Sequence, residues 1–180
     1  EITFDCDTVL LSVGLIPENE LSRAAGIEMD ARTNGPVVYE NMETSIPGMF
    51  ACGNVLHVHD LVDFVTAEAA QAGRAAAAYC EGKLLPDQRV LDVRNGDMVG
   101  YTVPQKLRLD QDLSSVDVFF RPRAKLGSSK IVVRDDFGNV LTAFSRSRLA
   151  PGEMEHIKLP KELLLKAEKF VSVSVEEVSA

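Results

Sequence analysis

Thr44-Ser45-Ile46-Pro47-Gly48-Met49-Phe50-Ala51-Cys52-Gly53-Asn54 is the stretch on which the reading of this chain turns. Thr44 to Pro47 reads as a loop, and Gly48 to Gly53 as a short buried strand that stops at a glycine. A glycine at that point lets backbone approach another surface with no Cβ in the way. The next residue, Asn54, carries an amide that both accepts and donates hydrogen bonds. Cys52, inside the strand, reads as a small core hydrophobe and not as a reactive thiol.

Working outward, Thr8-Val9-Leu10-Leu11-Ser12-Val13 is a nearly continuous aliphatic run that Gly14 ends. Such a run reads as a strand buried on both faces, the kind found in parallel sheets flanked by helices. Residues 19–25 form a short helix that Gly26 terminates. Asn34-Gly35-Pro36 is a turn, followed by a short Val37-Val38-Tyr39 strand. Downstream, Asp63 to Cys80 has high helix propensity, and its small side chains suit close packing against a sheet or a cofactor. Gly82 suits a helix C-cap, and Lys83 to Gln88, with Pro86, reads as a linker.

Beyond the linker the period changes to two. Val99, Tyr101 and Val103 alternate, as do Val116, Val118 and Phe120, and Val171, Val173 and Val175, while Lys130 to Arg134 is a short strand. Turn-rich segments separate them, and one short helix, Lys161 to Lys169, interrupts the series. The expected architecture is an α/β piece over residues 1–85, a linker at 86–92, and an all-β, sandwich-like domain over 93–180.

Bulk properties exclude several functions. The chain has 180 residues and a formal net charge of −8, so a nucleic-acid partner is not expected. No apolar run approaches the roughly 20 residues of a membrane span, and the acidic opening is no signal peptide. Cys6, Cys52 and Cys80 are widely spaced and odd in number, which fits reduced, mostly buried thiols in a cytoplasmic protein. The chain opens without methionine, already inside an apolar/polar alternation, so we expect it to be cut from a longer protein. Arg121, Arg123, Lys125 and Lys130 read as a solvated basic group.

The segment from Thr44 to Asn54 resembles the second FAD motif of the pyridine nucleotide–disulfide oxidoreductase superfamily: a Thr, a Pro-Gly loop, a strand, then Gly-Asp. Asn54 stands where that family has Asp. Cys6 to Asn19 is similar to the family's apolar strand followed by G-x-x-P-N, here with one extra residue before the Asn. The helix opening at Asp63-Phe64-Val65-Thr66 is similar to the helix whose first N–H groups face the flavin pyrimidine. The resemblance covers about residues 5–82. It implies a C-terminal segment of an FAD-binding domain, with Gly53, Asn54, Val55, Asp63, Phe64 and Val65 contacting FAD. It further implies a parent oxidoreductase that passes electrons between NAD(P)H, flavin and an acceptor.

The first FAD fingerprint, the NAD(P) fingerprint and a redox CxxC are not in these residues, so the segment alone is expected to be inactive and to hold no FAD. His57 and His59 read first as structural or solvent-facing residues, with an acid/base role near the flavin as the alternative. Two histidines and no third group at fixed spacing give no metal site. Truncation of the sheet is expected to drive homodimerisation through the FAD-like segment, and the parent protein is expected to have room for a partner subunit. The alternative function is a non-catalytic interaction or dimerisation module.

Overall fold

Alternating apolar side chains build most of the molecule, because successive residues of a strand face opposite sides. The computed structural model describes residues 2–11, 14–83, 89–109 and 113–178. Among these residues eight strands occur: β1 (Val90–Asn95), β2 (Val99–Val103), β3 (Lys106–Arg108), β4 (Ser115–Pro122), β5 (Ser129–Asp135), β6 (Val140–Arg146), β7 (Glu155–Pro160) and β8 (Phe170–Glu177). They form a five-stranded sheet in the order β3-β1-β8-β5-β6 and a three-stranded sheet in the order β2-β4-β7. Only the β1–β8 pair is parallel among the described pairs.

Both sheets feed one apolar core. Leu91, Ile131, Val133, Val171 and Val173 enter from the larger sheet, and Val99, Val118, Phe120, Ile157 and Leu159 from the smaller. Each such side chain contributes roughly 1.5–3 kcal/mol on burial. The patterned strands fall where alternation places them. The linker expected at 86–92 is shorter at its C-terminal end, because Val90 already pairs with Arg108 in β1; residues 84–88 lie outside the described residues. The helix expected over 161–169 is a single turn, α3 (Lys161–Leu164), that closes beneath the core through buried Leu164.

Residues 2–83 hold two further helices, α1 (Glu20–Ala24) and α2 (Val62–Cys80). Gly26 and Gly82 follow them at φ +77° and +73°, the left-handed conformation that ends helices. Between the helices the chain is tied by turns and single β-bridges, Val38 to Thr44 and Glu43 to Phe50. Gly48 to Gly53 is therefore extended chain with one bridge, and not a full strand. The buried Asn19 binds this region together by donating to the carbonyls of Asn34 (3.0 Å) and Val55 (2.8 Å).

Thr8 to Leu11, the described part of the apolar run at 8–13, do not form the buried strand that its composition predicts. Val9, Leu10 and Leu11 are exposed, Leu10 at 91%, and Ser12 and Val13 lie outside the described residues. A strand of this type needs neighbours on both edges and both faces, and among the described residues no strand pairs with it. Two of the three thiols also depart from expectation: Cys6 and Cys80 are exposed, and only Cys52 is partly buried.

The two halves share a seam. Val103 joins Val38, Met42, Ala51, Leu56 and Ala72 in a second apolar cluster. The Val38 carbonyl accepts from the N–H groups of Gln105 and Lys106, each at 3.2 Å. Arg108 of β3 reaches across to Glu40 (Nε, 3.3 Å), Glu43 (Nη1, 2.6 Å) and Asn41 (Nη2, 2.6 Å), and its guanidinium lies 4.1 Å over the Tyr39 ring. Burial pushes the Glu40 carboxyl up, against the pull of Arg108. Arg108→Ala is expected to cost about 2 kcal/mol, since it strands two poorly hydrated acids. A denaturant titration followed by circular dichroism checks this; an unchanged midpoint would contradict the seam.

Candidate functional site

The site is built around a backbone that only glycine tolerates easily. Gly53 sits at φ +73° and opens a 3-10 turn, Gly53–Val55, directly after extended Cys52. The Gly53 carbonyl accepts from the N–H of Leu56 (2.9 Å) and of His57 (3.3 Å). Asn54 is exposed, and its Oδ1 accepts from the His59 N–H at 3.1 Å. The chain then crosses Asp60 and Leu61 into α2.

Of the sequence-predicted contacts, Gly53 and Val65 are brought together: a Cβ built on Gly53 would lie 3.5 Å from Val65 Cγ1. Val55 is half-buried, with its carbonyl held by Asn19. Asp63 is exposed in the first turn of α2. Phe64 is half-buried, with its ring 5.4 Å from Phe119 of β4, and its N–H donates to the Leu61 carbonyl at 3.2 Å.

His57 and His59 are buried, and both face a residue that the sequence reading did not single out. Glu68, also buried, accepts from the Gly53 N–H through Oε1. His57 Nε2 lies 2.9 Å from Glu68 Oε2, and His59 Nε2 lies 3.2 Å from Oε1. Burial alone would raise the Glu68 carboxyl, but hydrogen bonds to both imidazoles and the Gly53 N–H hold it at about 2. Burial pushes His57 down, against the pull of Glu68. At neutral pH the arrangement is therefore a carboxylate receiving Nε2–H donors from its histidines. Neither Nδ1 has a hydrogen-bond partner among the described residues. Burial and then the Glu68 charge raise the Cys52 thiol, which keeps it protonated.

Glu68 was legible in retrospect. Phe64, Glu68 and Ala72 are four apart and so share one face of α2, with the carboxylate lodged between side chains that pack inward.

The loop is clamped from the β-rich half. Arg121 of β4, expected on a solvated surface, is instead half-buried: its Nη2 donates to the Val58 carbonyl at 3.0 Å and to Asp60 Oδ1. Asp60 Oδ2 accepts from the Met154 N–H at 2.5 Å. Tyr101 and Phe119 close over the imidazoles, with centroids 5.8 and 6.1 Å from the His57 ring. A separate cavity of about 780 Å³ lies toward the far end of α2, lined by Tyr39, Phe50, Gln71, Tyr79 and Arg108 among others. It includes neither Gly53 nor Asn54. No described helix is long and apolar enough to cross a membrane.

Comparison with known proteins bears on residues at this site. Residues 1–78 match the family model described as pyridine nucleotide-disulphide oxidoreductase. Putidaredoxin reductase CamA of Pseudomonas putida is 36% identical over 89 residues, covering 46% of this chain and 20% of the relative. An NADH oxidase of Methanocaldococcus jannaschii is 29% identical over 142 residues, covering 79% of this chain and 25% of the relative. A glutamate synthase [NADH] of Schizosaccharomyces pombe is 31% identical over 81 residues, covering 44% of this chain and 4% of the relative. The matches thus span a quarter or less of each of these relatives. No solved structure gives a significant match. The matched segment, under half of the chain, carries the Gly53–Asn54 turn and nearly all of α2, and is similar to the pyridine nucleotide–disulphide oxidoreductase family.

Proposed function

We propose that this chain forms the ribityl end of an FAD site within a cytoplasmic, NAD(P)H-dependent oxidoreductase, with residues 93–178 as a sandwich-like module braced against it. The observation that carries the reading is Gly53 at φ +73°, followed by exposed Asn54 and packed against the first turn of a 19-residue helix. The residues fit the cofactor. Gly53 presents no Cβ, and the opening N–H groups of α2 carry about half a positive charge, which favours electron density on a flavin. FAD would supply the two-electron chemistry, and the protein would supply binding and electrostatics.

Asn54 would act differently from an aspartate. Its Oδ1 is engaged by the His59 N–H, so its NH₂ is the group offered to a ribityl hydroxyl. Asn54→Leu in the intact oxidoreductase is expected to weaken FAD retention about 10- to 100-fold, the equivalent of one lost hydrogen bond of roughly 1–3 kcal/mol. Asn54→Asp, which keeps an acceptor for the His59 N–H, should retain flavin. Flavin absorbance after gel filtration reads both, and undiminished flavin in the leucine variant sinks the assignment.

A second reading rests on a different observation. Ile2, Phe4, Val9, Leu10 and Leu11 are exposed together, more apolar surface than an isolated chain ordinarily leaves in water. On this reading the 180 residues alone hold no FAD, are inactive and self-associate as a two-fold dimer through residues 1–85, or dock a partner subunit there. Light scattering at micromolar concentration should give about twice the monomer mass; a strict monomer removes this reading.

A further inference from the structure

His57, His59 and Glu68 meet the chemical requirements of a site that neither the family match nor the proposed flavin contact assigns. Their three ligand atoms all lie within 4.8 Å of one another, and all three side chains are buried. The separations from imidazole Nε2 to carboxylate oxygen, 2.9 and 3.2 Å, approach the roughly 3.3 Å edge of a tetrahedron with bonds of about 2.0–2.1 Å. Two neutral imidazoles and one carboxylate are also a zinc-type donor set.

One feature of the packing points to a bound cation. The Glu68 carboxylate is buried between the two imidazoles, with no Lys or Arg paired to it among the described residues, because the nearby Arg121 is committed to Asp60. Orientation is already provided: the Gly53 N–H fixes Glu68 Oε1, the kind of outer hydrogen bond that holds metal ligands in place. Phe119 and Tyr101 shield the imidazoles from solvent.

We propose that His57, His59 and Glu68 bind one divalent transition metal of the zinc class, through both imidazoles and one carboxylate oxygen, leaving a fourth position for a small ligand such as water. Binding moves the ligand atoms apart by a few tenths of an ångström and releases any proton held between them. The metal pins the 57–60 loop to α2 behind the Gly53 turn. The site is independent of whether Asn54 contacts a flavin.

The test uses the tag-free chain, stripped with chelator and titrated with Co²⁺, whose visible bands report tetrahedral nitrogen and oxygen ligation, and then with Zn²⁺ in competition. The expected result is one equivalent of Co²⁺ per chain, displaced by Zn²⁺, with a higher melting temperature in the metal-bound form. His59→Gln and Glu68→Gln should each weaken binding by more than the roughly 10–100-fold that loss of an outer hydrogen bond brings. His156→Gln, at the third and last histidine of the chain, should bind as the parent does. Circular dichroism establishes that each variant is folded. Absence of tetrahedral bands in the folded parent overturns the proposal whatever the variants do. So does binding that is lost in His156→Gln or kept in a folded His59→Gln.

Discussion

Glu68→Ala is expected to lower the melting temperature of the chain by roughly 8–16 °C, from a loss of about 4 kcal/mol at 2–4 °C per kcal/mol. The carboxylate is the shared acceptor for the Gly53 N–H and for both imidazole Nε2 atoms. Truncating it leaves three buried polar groups with no replacement partner, and each such group costs about 1–3 kcal/mol. The sign is what discriminates. A solvated glutamate in the middle of an alanine-rich helix would be neutral or improved by alanine, the best helix former. A thermal melt at neutral pH therefore separates a buried hub from a surface charge, and an unchanged or raised transition would refute the hub.

Gly35→Ala should be comparably damaging, at about 3 kcal/mol or more, for a steric reason. A Cβ at position 35 would lie 1.9 Å from the Leu56 carbonyl oxygen and 2.6 Å from its carbon. That neighbour is backbone, in the segment that leads from the Gly53 turn to His57, so it cannot swing away as a side-chain tip would. Overpacking of this kind costs 1–3 kcal/mol in ordinary cores, occasionally more. In an open turn the same change would stabilise by about 0.4–1 kcal/mol by restricting the unfolded chain. Gly73, where an added Cβ meets nothing within 4 Å on the exposed face of α2, supplies the opposite case. Gly73→Ala should stabilise by up to about 1 kcal/mol. Chemical denaturation of the two variants in parallel decides the matter, and equal midpoints would show that the 34–36 turn does not press on Leu56.

Much of the architecture was legible because strong local patterns coincide with the tertiary solution. The helix expected from Asp63 to Cys80 is α2, Val62–Cys80, where propensity and the Gly82 stop agree. Val116, Val118 and Phe120 gave β4 because their alternation is unbroken. β6 was missed because no fully buried residue marks either of its faces; an edge strand half in solvent leaves little pattern. β1 was absorbed into the linker, since only Leu91 and Val93 declare it.

The run at 8–13 failed for the opposite reason. Its pattern is strong, but a buried strand is a property of its neighbours, and among the described residues none covers it. At the candidate site, Gly53 and Asn54 were singled out through motif order. Glu68 and Arg121 were not, because each acts across a fold contact: 11 and 9 residues from its histidines in one case, and 61 from Asp60 in the other. Charged residues at such positions look solvated until the packing is known.

The central claim is that the Gly53–Asn54 turn meets a flavin, and a flavin-bound structure of the whole protein tests it most directly. The expected result is FAD with its ribityl chain against Gly53, a ribityl hydroxyl about 2.7–3.2 Å from Asn54 Nδ2, and the start of α2 facing the isoalloxazine. A flavin bound with its ribityl chain away from Asn54, or an intact protein that takes up no flavin when FAD is supplied, would contradict it.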